Sequence, residues 1–333
     1  QRRRPGDGAA APAGSGSAAE APPAADDTGG DGQDLREAHE AVTSLTVDVY
    51  RPRAVPRGRL ALIGARVLPM TGERTVIDDG VVLIEDDRIV AVGPRDAVAI
   101  PEDAERVDVS GHVVMPGFVD THAHFRPMRR VLDPDNWAFL ANLAYGVTTG
   151  LDVQPSTIDI LAYQDLIDAG MMLGPRALST GPGIFSNNAF RSLDHARAVL
   201  RRYKDSYRVH NLKAYLAGNR RQRQWIVQAA AELELMPTTE GALDMKLDLT
   251  HVVDGFSGNE HNFPLTALHR DVVTLVGRSG MSYTPTLLVS YGGPFAESWF
   301  YTRENPGGDA KLRRFTPSAV LASRTRRGPW FHD

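Results

Sequence analysis

Met115-Pro116-Gly117-Phe118-Val119-Asp120-Thr121-His122-Ala123-His124 is the stretch at which the character of the chain changes. Before it, short apolar runs alternate with turn residues. Residues 60–68 read as a strand. Residues 80–85 and 88–93 flank Asp86-Asp87, a two-residue hairpin turn. Residues 106–115 read as another strand pair, turning tightly at Ser110-Gly111. The expectation is a small, sandwich-like β domain of short antiparallel strands over residues 44–115. After Pro116, apolar strand-like runs alternate with helical stretches. Strands are expected at 118–124, 147–151, 176–180, 209–215, 235–240, 256–262 and 282–290. Helices are expected at 137–145, 192–204, 220–233 and 265–276. One more is expected to open on Ser156-Thr157-Ile158-Asp159 as a capping box, with Ile158, Leu161, Ala162, Leu166 and Ile167 on its apolar face.

Repeated βα alternation implies a parallel sheet with helices outside it. Seven strands without a Gly-rich dinucleotide fingerprint favour a (β/α) TIM-type barrel over a doubly wound sheet. The fold expected is therefore α/β, with the barrel over residues 116–333. No apolar strand-like run follows Ser290, so the barrel is expected to lack its eighth strand. Residues 116–333 also fall short of the roughly 250 that a complete barrel takes.

Residues 1–33 contain no Val, Ile, Leu, Met, Phe, Trp or Tyr. Such sequence cannot bury enough apolar surface to offset its ordering entropy, and residues 1–43 read as disordered linker. No apolar segment follows Arg2-Arg3-Arg4, so no signal peptide is expected there. No apolar run approaches the roughly 18–20 residues of a membrane-spanning helix. With 37 basic against 41 acidic residues and a net charge of -4, no global field recruits nucleic acid or an acidic membrane. The basic stretch Lys311, Arg313, Arg314, Arg324, Arg326 and Arg327 reads as a rim segment or a subunit contact, which leaves room for a homo-oligomer. The absence of cysteine excludes disulfide frameworks, zinc ribbons, iron–sulfur clusters and cysteine nucleophiles.

His122 and His124 stand two apart at the end of the first barrel strand, so period-two geometry puts them on one face. In a barrel, that end of a strand points into the active-site mouth. Two imidazoles behind Asp120 suit one divalent metal. The competing reading is two unrelated polar residues on a loop. Among the other histidines, His251 and His269 fall in helical stretches and read as surface. His210 opens a strand at the opposite rim. His39, His112, His195 and His332 have no constellation around them.

The stretch from Met115 to His124 resembles the first metal motif of the amidohydrolase superfamily. Gly64-Ala65-Arg66-Val67 and Asp87-Arg88-Ile89-Val90-Ala91-Val92-Gly93 resemble that family's N-terminal β domain, and Gly146-Val147-Thr148-Thr149 resembles its second barrel strand. Asn219-Arg220-Arg221-Gln222-Arg223-Gln224, Thr239-Glu240-Gly241, Glu260-His261 and Tyr283-Thr284-Pro285-Thr286-Leu287 resemble the branch that often carries a TolB-like β-propeller ahead of the hydrolase. The resemblance runs from about residue 59 to the end. It implies metal-dependent hydrolysis of a C–N bond in an amide, cyclic amide or small peptide, with a small molecule or short peptide as substrate. It implies one or two divalent ions, zinc first, with manganese or iron as alternatives.

Residue by residue, the resemblance implies metal ligands at His122, His124, Lys213, Glu240 and His261, and catalytic roles for His261 and Lys213. Lys213 stands where many members carry a lysine that carbon dioxide carboxylates and that bridges two metals. The alternative is an unmodified lysine that contacts substrate or pairs with Glu240. Glu240 occupies a position where the pattern usually has a metal-binding histidine; a salt-bridged structural Glu is the other reading. His261 matches a histidine that binds metal or polarises the substrate, against a satisfied core histidine. The family's general base is an Asp ending the eighth strand, and no such strand end is found in this sequence. A catalytically incomplete metal-binding or partner-binding barrel is therefore the alternative to a working hydrolase. Asn187-Asn188 and Tyr291-Gly292-Gly293 lie on the rim that would line the pocket.

Overall fold

The computed structural model describes residues 45, 47, 49–72, 75–125, 131–185, 188–265, 267–286 and 304–325. The chain falls into two units, residues 1–48 and 49–333, and the description below concerns the second. The linker expected over 1–43, Asn187, the end of the seventh expected strand and Tyr291-Gly292-Gly293 lie outside the described residues.

The first sheet is built from β1 (Arg59–Val67), β2 (Ile77–Glu85), β3 (Arg88–Pro94), β4 (Glu105–Asp108) and β5 (Val113–Val114). The hairpin of β2 and β3 forms as expected, antiparallel across Asp86-Asp87. Asp86 takes the positive φ of 55° that so tight a turn demands. The expectation for residues 106–115 is corrected. β4 and β5 do not pair with each other; each runs parallel to β1. The physical reason is local. The Asp108 side chain accepts from the Ser110 backbone N–H at 2.9 Å, and Val109 N–H donates to the Ile63 carbonyl at 2.9 Å. Ser110-Gly111 forms the tight turn expected, with the His112 N–H donating to the Val109 carbonyl at 3.1 Å, but the chain resumes the same direction along β1, and the domain is mixed rather than antiparallel.

The second part alternates strands and helices. β6 (Phe118–Ala123), β7 (Val147–Asp152) and β8 (Arg176–Ser179) form a parallel sheet in chain order. β9 (Asn211–Lys213), β10 (Met236–Thr239), β11 (Gly258–Glu260) and β12 (Ser282–Thr284) form another. A parallel bridge between Ile184 and Ala214 links the run after β8 to the end of β9. There the Ile184 N–H donates to the Lys213 carbonyl and the Tyr215 N–H to the Ile184 carbonyl.

The helices of the first sheet are α1 (Trp137–Ala144) and α2 (Asp159–Asp168). The capping box expected at Ser156 is not made: the helix starts three residues later, at Asp159, without a side-chain cap. Thr157 instead donates its hydroxyl to Asp159 at 2.7 Å. The expected apolar face is borne out in part: Leu161, Leu166 and Ile167 pack against the core, but the fully buried residues are Ile160 and Tyr163, and Ile158 is exposed. Tyr163 belongs to a stack in which Phe139 lies between Phe125 and Tyr163, at 4.7 Å and 5.1 Å between ring centroids.

The second sheet carries α3 (Leu193–Arg201), α4 (Arg220–Glu232), α5 (Met245–Asp254) and α6 (Arg270–Ser279). α3 opens on Ser192, whose hydroxyl accepts from His195 N–H, and runs into a π-helical turn at Arg202–Ser206. α4 has a complete capping box between Asn219 and Gln222, which satisfies two otherwise orphaned N–H groups. Its Ile226, Ala229 and Ala230 are buried in a core shared with Leu200, Leu212 and Val252. Two short helices, α7 (Ala310–Phe315) and α8 (Ser318–Thr325), complete the described chain. Among the described residues, no helix is long and apolar enough to cross a membrane.

Candidate active site

The chemistry-bearing residues stand at the C-terminal ends of the parallel strands, where successive βα loops begin. His122 is on β6 and His124 just beyond it. Lys213 ends β9, Glu240 follows β10, Glu260 ends β11 and His261 follows it. Period-two alternation keeps His122 and His124 on one side, and their rings lie 5.1 Å apart, edge to face. The His122 ring is also 4.7 Å from that of His261.

Two carboxylates organise the group. Glu260 accepts from His122 Nδ1 at 2.7 Å and from the Thr238 hydroxyl at 2.6 Å. This contact joins the first parallel sheet to the second. Glu240 accepts from Lys213 Nζ at 2.8 Å and lies 3.1 Å from His261 Nε2. The five titratable residues of these contacts range from wholly buried Lys213 to His261, whose side chain is 23% exposed and opens the cluster to solvent. His124 is exposed.

The electrostatics follow from burial and pairing. Burial alone would raise the Glu240 carboxyl, but the His261 hydrogen bond and the Lys213 charge outweigh it and hold it at about 2. Burial likewise opposes ionisation of Glu260, and the His122 hydrogen bond with the Lys213 charge overturns it, leaving that carboxyl below its usual range. Lys213 is pulled below the ordinary lysine value by burial, against the attraction of Glu240. Both carboxylates are therefore anionic at neutral pH.

All five expected site residues occur at strand ends, and His122, Lys213, Glu240 and His261 fall within one network. Lys213 pairs with Glu240 directly, the alternative weighed for it from sequence. Glu260 and Thr238 were not singled out as site residues. Thr238 shares a face with Glu240 by alternation and could have been found. Glu260 could not, because in a regular strand Glu260 and His261 would face opposite ways. His261 takes a left-handed φ of 64°, an uncommon conformation for histidine, and this kink turns both neighbours into one cluster. The expectation for His251 is corrected. It is wholly buried on α5, because that face of the helix packs on Phe256, whose ring lies 5.1 Å from the imidazole.

The donor set consists of imidazole nitrogens and carboxylate oxygens, the chemistry that zinc, manganese and iron accept. Among the described residues, His261 Nδ1 is buried with no hydrogen-bond partner, so one ring nitrogen of the cluster is uncommitted there. By donor chemistry the residues fit a divalent ion. Their geometry is closed on itself, and among the described residues no three His, Asp or Glu side chains are arranged to hold one.

No family model matches the chain. Over 66 residues it is 53% identical to the 5-methylthioadenosine/S-adenosylhomocysteine deaminase of Symbiobacterium thermophilum, covering 20% of this chain and 15% of that protein. Over 76 residues it is 38% identical to the dihydroorotase of Mycobacterium tuberculosis, covering 23% of this chain and 17% of that one. The fold matches the crystal structure of a Xaa-Pro dipeptidase with a TM-score of 0.58 at 16% identity, over 81% of this chain and 74% of the other. The two relatives are members of the amidohydrolase superfamily, and the chain is similar to them over these segments. The amidohydrolase matches in sequence span less than a fifth of those two relatives' lengths.

Proposed function

We propose that this amidohydrolase chain is a metal-dependent hydrolase of C–N bonds, acting on an amide, cyclic amide or small peptide. One observation carries the reading. His122 on β6 reaches Glu260 on β11 at 2.7 Å, so strand ends far apart in sequence converge on a single cluster of imidazoles and carboxylates. That convergence also supports reading the two parallel sheets as arcs of one TIM-type barrel. We read the five-stranded sheet as the family's β domain, and Thr239-Glu240-Gly241 with Glu260-His261 as marks of the branch often fused to a TolB-like propeller.

His122, His124, Glu240 and His261 would hold the ion, zinc first, with Lys213 as a further ligand if carboxylated. A divalent ion bound there would lower the pKa of its water to roughly 7 and polarise a carbonyl. The chain's own residues do the rest. Glu260 holds the His122 ring in one orientation and sets its tautomer, with Nδ1 protonated and Nε2 left as donor. Glu240 fixes His261 in the same way. His261, whose Nε2 is held by Glu240, keeps the Nδ1 lone pair, so it would serve the ion as a ligand rather than donate to substrate. Burial lowers the Lys213 pKa against the pull of Glu240, and a carboxylated Lys213 would be a further oxygen ligand. Otherwise it balances the two anionic carboxylates.

The closed geometry favours a second reading, a metal-binding or partner-binding module without turnover. One experiment separates the two. Purified protein is expected to hold about one equivalent of zinc, manganese or iron, lost in His122→Ala, and to hydrolyse at least one class among dipeptides, acyl-amino acids and lactams. Metal retention without hydrolysis of any class would leave the module reading. Metal content that His122→Ala does not change would sink both.

A further inference from the structure

Asp248 lies on α5, away from the strand-end cluster, and is 2% exposed. It is not the helix cap, which is Asp244. The Gly241 backbone N–H and the Asn259 side-chain amide both act on its carboxylate and oppose the effect of burial. Gly241 is the residue after Glu240, and Asn259 the residue before Glu260. One buried carboxylate thus lies against both the turn after Glu240 and the strand end that carries Glu260. Asn259 extends the link, since its amide lies 3.3 Å from the carbonyls of Glu260 and His261, across the residue with the left-handed backbone.

Gly241 records how close the approach is. A Cβ there would fall 2.2 Å from Asp248 Oδ1 and 2.4 Å from its Cγ, so no side chain fits while Asp248 stays in place. The backbone of Gly241 does not have positive φ, so glycine is required for the contact and not for the conformation. A buried carboxylate is costly unless it is hydrogen-bonded. Burial raises its pKa to about 6, a cost that a purely structural core position would avoid with an apolar residue. From this geometry we infer that Asp248 is a positioning residue, which through Gly241 and Asn259 fixes the spacing of Glu240, Glu260 and His261. The inference rests on the cluster being a metal site, and it adds a residue that neither touches the ion nor lines the mouth.

The test uses the whole protein with Asp248→Ala, Asp248→Asn and Gly241→Ala, and His122→Ala as the reference for loss of the site. Two quantities are read: amide hydrogen exchange at Gly241 without metal, and the zinc dissociation constant by chelator competition. Melting temperature and circular dichroism report folding. Asp248→Ala and Gly241→Ala should each speed exchange at Gly241 and weaken zinc binding by about tenfold or more, the usual effect of losing an outer-shell partner. Asp248→Asn keeps an acceptor and should restore zinc binding to within about threefold of the native protein. If Asp248→Ala does not fold, Gly241→Ala and Asp248→Asn still carry the test. Unchanged exchange at Gly241 overturns the inference whether or not zinc binds. So does zinc affinity within about twofold of native in the folded variants while His122→Ala loses it. If the native protein itself binds no zinc, the metal reading falls, and the exchange result alone judges the clamp.

Discussion

His251 and Asp248 lie one turn apart on α5, and both are buried. Burial, with the Arg223 charge beside it, lowers His251 from 6.5 to about 4. Among the described residues, neither of its ring nitrogens has a hydrogen-bond partner. Burial raises Asp248 from 3.8 to about 6. The two shifts act on stability with opposite signs. Between pH 6.5 and 4 the unfolded chain protonates His251 while the folded chain does not, so this residue removes stability as pH falls. Between pH 6 and 3.8 the folded chain protonates Asp248 while the unfolded chain does not, so that residue adds stability as pH falls. Each shift corresponds to something on the order of 3 kcal/mol, and over the shared window they nearly cancel. His251→Gln should therefore gain stability relative to the native protein as pH drops from 6 towards 4. Asp248→Asn should lose it. Urea unfolding of all three proteins at several pH values reads the difference, and identical pH slopes in the native protein and His251→Gln would refute the assignment. Neither residue was legible as buried from sequence. A histidine and an aspartate in an amphipathic stretch ordinarily face solvent, and only the packing of α5 onto Phe256 and Gly241 turns them inward.

At the scale of elements, what sequence disclosed was whatever local periodicity encodes. The β2–β3 hairpin, the order of the parallel strands and the site of α4 follow from apolar alternation and from Asn219 with Gln222. What it concealed was set by single contacts between elements. The direction of β5 depends on Asp108 catching the Ser110 N–H, and the start of α2 on Thr157 bonding Asp159. The close approach of β7 to the aromatic stack is another such contact. A Cβ at Gly150 would lie 2.6 Å from Phe125 Cζ and 3.3 Å from the Ala123 Cβ. Phe125 is itself buried against Phe139, so its ring has no free space to retreat into. Gly150→Ala should destabilise the protein by about 1–3 kcal/mol, the usual cost of overpacking. The double variant with Phe125→Leu, which removes the ring atom nearest the new methyl, should lose less than the sum of the two single changes. Strict additivity in denaturant unfolding would show that Gly150 is not held by this contact.

Across the whole molecule, the candidate site is shared between two sheets. β6 brings His122 and His124, while the ends of β9, β10 and β11 bring Lys213, Glu240, Glu260 and His261. A ligand held by both sheets binds the folded chain and has no preformed site in the unfolded one. Its free energy of binding must therefore appear as resistance to global unfolding. At free zinc a hundredfold above its dissociation constant, the gain is about 2.7 kcal/mol, a rise in melting temperature on the order of 5 °C for a domain of this size. His122→Ala removes one of the first sheet's two ligands, the one that Glu260 positions, and should abolish the shift. Lys213→Ala, confined to the second sheet, should reduce it, and by leaving Glu240 without its cation should also lower stability in the absence of metal. Thermal unfolding with and without zinc, in the native protein and both variants, reads these terms separately. Zinc held at an exposed surface histidine would shift all three proteins alike, and that result would place the ion outside the cluster that joins the sheets.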